Sequence, residues 1–171
     1  LLFPAAGEEE AAAEQLQRPS LALPALLATQ YAQARLWQSW GVEPTAMIGH
    51  SMGEYTAAHL AGVFSLADAL TLVELRGRLF ETLPEGAMLS VPLPEAELLP
   101  LLTADLADLS IGVINGPRLC VASGPVASIE ALQARLAEME IDAARVRINV
   151  AAHSPMLEPI LAEFHAFLRG I

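Results

Sequence analysis

The run Gly49-His50-Ser51-Met52-Gly53 constrains this chain more than any other stretch of it. A serine stands between two glycines, directly after the short apolar stretch that begins at Ala46 and before a helical pattern. A chain that turns from strand to helix within so few residues needs small side chains at the corner, and the serine is then thrust out at the helix N-terminus. There, first-turn N–H groups and the helix dipole can receive an oxyanion. Ser51 is therefore the candidate nucleophile; the plain alternative is a strand–helix turn without chemistry.

The 171 residues suffice for one domain or one and a half, and the start at Leu1 predicts a piece of something longer. Hydrophobic residues make up 54% of the chain. Either the Ala/Leu-rich helices are well buried, or further sequence covers apolar surface. A membrane span is the weaker reading. The most apolar stretch, Ala57 to Val73, contains His59, Ser65 and Asp68, and a central Asp is costly in lipid. No N-terminal signal pattern is visible. The net charge of −11 argues against nucleic acid, which needs a basic face. Cys120 is the one cysteine, which excludes an internal disulfide and any multi-cysteine metal site. A cytoplasmic location fits.

The pattern divides at about Gly86. Leu1 to Glu14 reads as a loose acidic lead-in. Ser20 reads as the N-cap of a helix ended by Gly41, with Leu26, Ala34, Trp37 and Trp40 on one face as core. Ala46 to Gly49 reads as a short buried strand, and a helix runs from Met52 to Ala61. Ser65-Leu-Ala-Asp68 opens a further helix with a capping box, running to about Leu83. Beyond Ala87, the expected order is a strand over Met88–Val91, a short helix over Glu95–Leu102 and strands over Ile111–Ile114 and Leu119–Ala122. An amphipathic helix over Ser128–Met139 and a strand over Arg145–Val150 complete it. That β-α-β-β-α-β order is that of a ferredoxin-like unit. A last helix is expected over Pro155–Leu168. The fold class is α/β, with residues 1–85 and 151–171 as core and 86–150 as the inserted unit.

A serine hydroxyl needs a base. Of the four histidines, His50 adjoins Ser51, but neighbours at such a turn point in different directions, so it reads as support for the elbow. His59 and His165 lie inside helical patterns. His153, in Val150-Ala-Ala-His-Ser-Pro155, stands at the end of an expected strand, where catalytic groups gather in α/β folds. It is the candidate base. Arg76 lies in an otherwise apolar helix and needs a partner: either a ligand carboxylate held in bidentate fashion or a salt bridge to Glu74, Glu81 or another acid.

Several separated motifs occur in one order: Gly49-His-Ser-Met-Gly-Glu-Tyr55, Leu60-Ala-Gly-Val-Phe-Ser-Leu-Ala-Asp68, Arg76-Gly-Arg78, Asn115-Gly-Pro117, Ser123-Gly-Pro125 and Ala152-His-Ser-Pro155. From about Ser20 to Leu168 the chain resembles the acyltransferase domain of modular type I polyketide synthases, kin of malonyl-CoA:acyl carrier protein transacylases. The resemblance implies a hydrolase-like parallel-sheet α/β core with an inserted ferredoxin-like (βαββαβ) subdomain. It also implies a two-step transfer. Ser51 attacks the thioester of an acyl-CoA with His153 as base, and the acyl–serine is handed to the phosphopantetheine thiol of an acyl carrier protein. The Met52 backbone N–H supplies an oxyanion donor. Arg76 holds the free carboxylate of a malonyl-type unit, and His50, Val150 and Ala152 complete the substrate-binding set. Partners are the carrier protein and neighbouring synthase domains, with no bound cofactor.

The chain departs from the family pattern at both ends. The family's glycine/glutamine-rich loop, which contributes a second oxyanion donor, has no counterpart before Ser20, and the family continues past the last residue here. The expectation is a fragment truncated at both ends and weak or inactive as given, with the full domain active. Losing one oxyanion donor costs about 10²–10³ in rate. Met52 favours a malonyl unit over a methylmalonyl one. Val150-Ala-Ala-His153 matches neither of the family's usual tetrapeptides, His-Ala-Phe-His and Tyr-Ala-Ser-His, and its small side chains leave room for an α-branched unit.

Two rivals remain. A serine esterase or thioesterase shares Ser51 and a histidine and needs an acid between them in chain order. Asp105, Asp108 and Asp142 are available but lack a strand-end context, and Glu54 replaces the expected small residue. A non-catalytic structural or docking domain of a megasynthase would keep these residues by ancestry, with Ser128–Met139 facing a partner. No residue set has metal-ligand spacing.

Overall fold

The computed structural model describes residues 1–171, the side chain of Ala104 excepted. The chain divides into two compact units, residues 1–82 with 162–171, and residues 83–161. The sequence pattern places these divisions at 86 and 150 instead.

The first unit is helical. It holds α1 (Glu9–Gln15), α2 (Pro19–Ser39), α3 (Gly53–Leu60) and α4 (Leu66–Phe80). Glu9–Gln15 corrects the expected loose lead-in. Helix α2 is capped at Arg18, not Ser20. The Ser20 hydroxyl instead donates to Glu81 Oε1 at 2.6 Å. Helix α4 begins as its sequence dictates: the Ser65 hydroxyl accepts from the Asp68 N–H at 3.1 Å, and the Asp68 carboxylate accepts from the Ser65 N–H at 3.3 Å. Leu27 of α2, Met52, and Ala69 and Val73 of α4 form the core here. Helices α2 and α4 approach closely at Gly77, where a Cβ would collide with the backbone of Pro19 and Ser20.

Two expectations fail in this unit. Trp37 and Trp40 are 56% and 64% exposed and stack edge-to-face on each other, with ring centroids 5.4 Å apart. The face of α2 that meets α4 runs through Leu23 and Leu27 instead. The strand expected over Ala46–Gly49 does not form, since no neighbouring strand pairs with it, and Ile48 is 96% exposed. Among the described residues the parallel core sheet has no strand; every strand pairing is antiparallel.

The second unit is a four-stranded antiparallel sheet, β1 (Gly86–Val91), β2 (Ser110–Gly116), β3 (Leu119–Pro125) and β4 (Ala144–Arg145), in the order β2-β3-β1-β4. Helix α5 (Glu95–Leu98) follows β1 and tightens to 3₁₀ over Leu99–Leu101, where Pro100 lacks the N–H that an α-helix uses. Asn115 and Gly116 belong to β2, and the two-residue turn to β3 is Pro117-Arg118. Helix α6 (Val126–Glu138) buries Ile129, Leu132 and Leu136. The alternation of β1 sends Ala87, Leu89 and Val91 to that helix-covered side, with Cys120 and Ala122 of β3. Each such leucine, taken fully from water, contributes about 1.5–3 kcal/mol. The apolar face of α6 is thus core.

The strand expected over Arg145–Val150 stops at Arg145. Val146 still donates to Met88 O at 2.9 Å, but the Ile148 N–H then turns back to Val146 O at 2.8 Å, a three-residue turn that leaves the ladder. The last helix is also corrected: Pro155–Ile160 is 3₁₀, with Pro159 inside it, and the α-helix α7 covers only Leu161–Leu168. No helix among the described residues is long and apolar enough to cross a membrane.

Candidate active site

Ser51 sits at the head of α3 with φ +50°. L-residues other than Asn and Asp rarely occupy this left-handed region, and such a residue persists only where its surroundings over-determine it. Three contacts do so here. The Gly53 N–H donates to His50 O at 2.9 Å and the Glu54 N–H to Ser51 O at 3.1 Å, closing the turn into the helix. The Glu54 carboxylate accepts the Gly49 N–H at 2.9 Å. Gly49 has no room for a side chain, because a Cβ would overlap the backbone of Gly53 and Glu54. Of the two elbow glycines only Gly49 is sterically required; a Cβ on Gly53 meets open space. The Met52 N–H stands among the leading amides of α3, which have no carbonyl partner inside a helix. His50 is exposed and Ser51 half-buried.

The Met52 side chain is buried, and its Sδ accepts from Arg76 Nη1 at 2.9 Å. The guanidinium carbon of Arg76 lies 4.8 Å from the centre of the Phe80 ring and 5.5 Å from that of Tyr55. The acids that the sequence offered as partners are engaged elsewhere. Glu74 pairs with Arg78 at 2.7 Å, and Glu81 takes the Ser20 hydroxyl and, at 3.5 Å, Arg18. No acid among the described residues forms an ion pair with Arg76. Burial pulls the Arg76 guanidinium below its ordinary value, Tyr55 opposing; burial likewise pushes the Tyr55 phenol up, against the pull of Arg76. An arginine remains charged at neutral pH all the same, so this unit holds a half-buried cation with neutral neighbours.

His153 belongs to the other unit. It too is left-handed, φ +59°, and exposed. Its turn is pinned from several directions. The fully buried Ser123 hydroxyl of β3 donates to Ala152 O at 2.6 Å, and the Gly86 N–H of β1 to Asn149 O at 3.2 Å. Ala152 packs on Met88 and Val121, on the face of the sheet opposite α6, and Val150 is buried. Ser154 donates to Ala151 O at 2.7 Å and caps the 3₁₀ helix by accepting the Met156 N–H. Val150 and Ala152 therefore anchor the turn that presents His153.

Sequence reasoning missed three residues. Glu54 registered only as an unusual neighbour of the elbow, although it closes it. Phe80 lies one helical turn after Arg76 on α4, a spacing that brings side chains together. Nothing local pointed from Tyr55 to Arg76. No group of described residues could hold a metal ion.

Residues 9–170 match the sequence model of the acyl transferase domain. The chain belongs to this family. The acyl transferase chain is 42% identical over 163 residues to polyketide synthase GfsA of Streptomyces halstedii, covering 95% of its own length and 2% of the relative's. It superimposes with a TM-score of 0.83 and 44% identity on the acyltransferase domain from the second module of the salinomycin polyketide synthase, covering 90% of itself and 37% of that chain. The acyl transferase domain of SpnD, solved in complex with 2-(pent-4-yn-1-yl)malonyl, gives a TM-score of 0.82 at 40% identity, covering 88% and 36%. The chain therefore spans a small part of the curated synthase and about a third of the solved domains.

Proposed function

We propose that this chain carries the nucleophile and the acid-recognising arginine of an acyl transferase domain that moves a malonyl-type unit from CoA to an acyl carrier protein during polyketide assembly. The observation that carries the reading is Ser51, held left-handed at the head of α3 over a glycine that tolerates no side chain. That is the backbone of a serine set up to react.

In the first half-reaction Ser51 Oγ attacks the thioester carbonyl while His153 takes the hydroxyl proton. The Oγ–C bond forms, the C–S bond breaks, and the proton goes to the departing CoA thiolate. The Met52 N–H faces the oxyanion. In the second half-reaction the phosphopantetheine thiol attacks the acyl–serine, giving its proton to His153, which returns it to Ser51. Arg76, a cation with no acid of its own, binds the free carboxylate and so fixes the far end of the substrate. His50 supports the elbow, and Val150 and Ala152 border the acyl site. The solved complex of SpnD with a substituted malonyl group supports a substrate of this class. Met52 favours malonyl among the possible units.

We further read residues 86–150 as the ferredoxin-like subdomain, on the antiparallel order β2-β3-β1-β4 with its two helices. The partners are the carrier protein and the neighbouring domains of a cytoplasmic synthase, and the chemistry needs no bound cofactor.

Intact-protein mass spectrometry after mixing with malonyl-CoA and methylmalonyl-CoA in competition tests the reading. The expected result is a malonyl adduct absent from Ser51→Ala. An adduct that persists in Ser51→Ala, or thioester consumption that yields only free acid and never an acyl–protein, overturns it.

A further inference from the structure

We propose that Met52, Tyr55 and Phe80 are positioning residues that hold the Arg76 guanidinium through neutral contacts, so that its charge stays available to the carboxylate of the incoming acyl group. The inference rests on the reading of Arg76 as the carboxylate-binding residue.

A buried arginine is ordinarily oriented by an acid. In that arrangement the protein's own carboxylate competes with any ligand carboxylate for the same fork. Here three uncharged groups take the acid's place. The faces of the Phe80 and Tyr55 rings attract the cation without neutralising it, with the guanidinium carbon 4.8 and 5.5 Å from the ring centres. The Met52 thioether occupies one Nη1 donor at 2.9 Å and leaves the remaining N–H groups to a ligand. The acids nearest in sequence are diverted, Glu74 to Arg78 and Glu81 to Ser20 and Arg18.

Met52 adds a second link. Its backbone follows Ser51 directly, while its side chain touches Arg76. One residue therefore spans from the thioester end of the substrate to its acid end, and a side chain of different length there shifts Arg76 relative to the nucleophile.

The test uses Ser51→Ala protein, which cannot turn over, titrated calorimetrically with malonyl-CoA and acetyl-CoA. These ligands differ by the distal carboxylate, and the ratio of their dissociation constants is the readout. Ser51→Ala prefers malonyl-CoA, and adding Arg76→Ala removes the preference. Adding Phe80→Leu or Met52→Leu lowers it about three- to tenfold, as expected for one cation–π or neutral contact. Adding Phe80→Tyr, which keeps a ring, restores it. Circular dichroism verifies each fold, and Phe80→Met replaces Phe80→Leu if the latter does not fold. If Phe80→Leu and Met52→Leu weaken both ligands equally or leave the ratio unchanged, while Arg76→Ala abolishes it, the positioning role is wrong and the carboxylate-binding role of Arg76 stands. If Arg76→Ala leaves the ratio unchanged, both fall.

Discussion

The Glu54 carboxylate reaches back over the turn to accept the Gly49 N–H at 2.9 Å, tying the first residues of α3 to the residue that opens the elbow. The side chain is exposed, so this bond contributes geometry more than stability. Glu54→Ala should cost no more than about 1 kcal/mol in urea unfolding, while slowing acylation of Ser51 by about tenfold. Glu54→Gln, which keeps an acceptor oxygen, should recover most of that rate. Single-turnover adduct formation measures it.

Gly49→Ala should be far more damaging. The added Cβ meets backbone, which cannot step aside as a side chain can. We expect a loss of about 2–3 kcal/mol and no adduct. Gly53→Ala, with open space at its Cβ, should fold and retain the adduct. Thermal melts with intact mass distinguish the pair.

Ser51 stores strain that a glycine would relieve. Its left-handed backbone costs about 1 kcal/mol. Ser51→Gly should therefore melt higher than the parent while losing acylation completely. Ser51→Ala, equally inert, should show no such gain. A melting temperature of Ser51→Gly at or below that of Ser51→Ala contradicts the strain.

Glu81 makes stability depend on acid. Hydrogen bonds from the Ser20 hydroxyl and N–H, followed by Arg18, hold its carboxyl below the ordinary value of 4.5. The folded form therefore favours the ionised state. The stabilisation is complete above the unfolded-chain value and is lost as pH falls below about 4.5 and through the lowered folded value. Ser20→Ala should reduce stability at pH 7 and flatten the decline between neutral pH and pH 3.5. Urea midpoints across that range check the sign.

The sequence was most readable where local chemistry decides. The Ser65–Asp68 cap, the period of α6 and the first three strands after Gly86 depend on neighbours within a few residues, and each forms as its residues dictate, whereas the fourth strand stops at Arg145. It was least readable where a distant partner decides. Trp37 and Trp40 have the spacing of a core face, yet α4 packs along Leu23 and Leu27. The apolar segment at 46–49 lacks a strand to pair with, so hydrophobicity alone did not make it one. Ser20 looked like a cap because helix signals are local, whereas its partner Glu81 lies 61 residues away. At the candidate site, the flanking glycines announced the tight turn at Ser51, but the choice of Arg76 among acids, rings and a thioether depended on how α3 and α4 meet.

Gly77 gives that arrangement its scale. With only a hydrogen at this position, α4 rests directly on the backbone of Pro19 and Ser20, and Arg76 is the preceding residue of the same helix. The missing methyl thus acts as a mechanical stop that sets the height of the guanidinium against α2. A substitution at 77 would move the guanidinium without touching Arg76 or the thioether and rings around it.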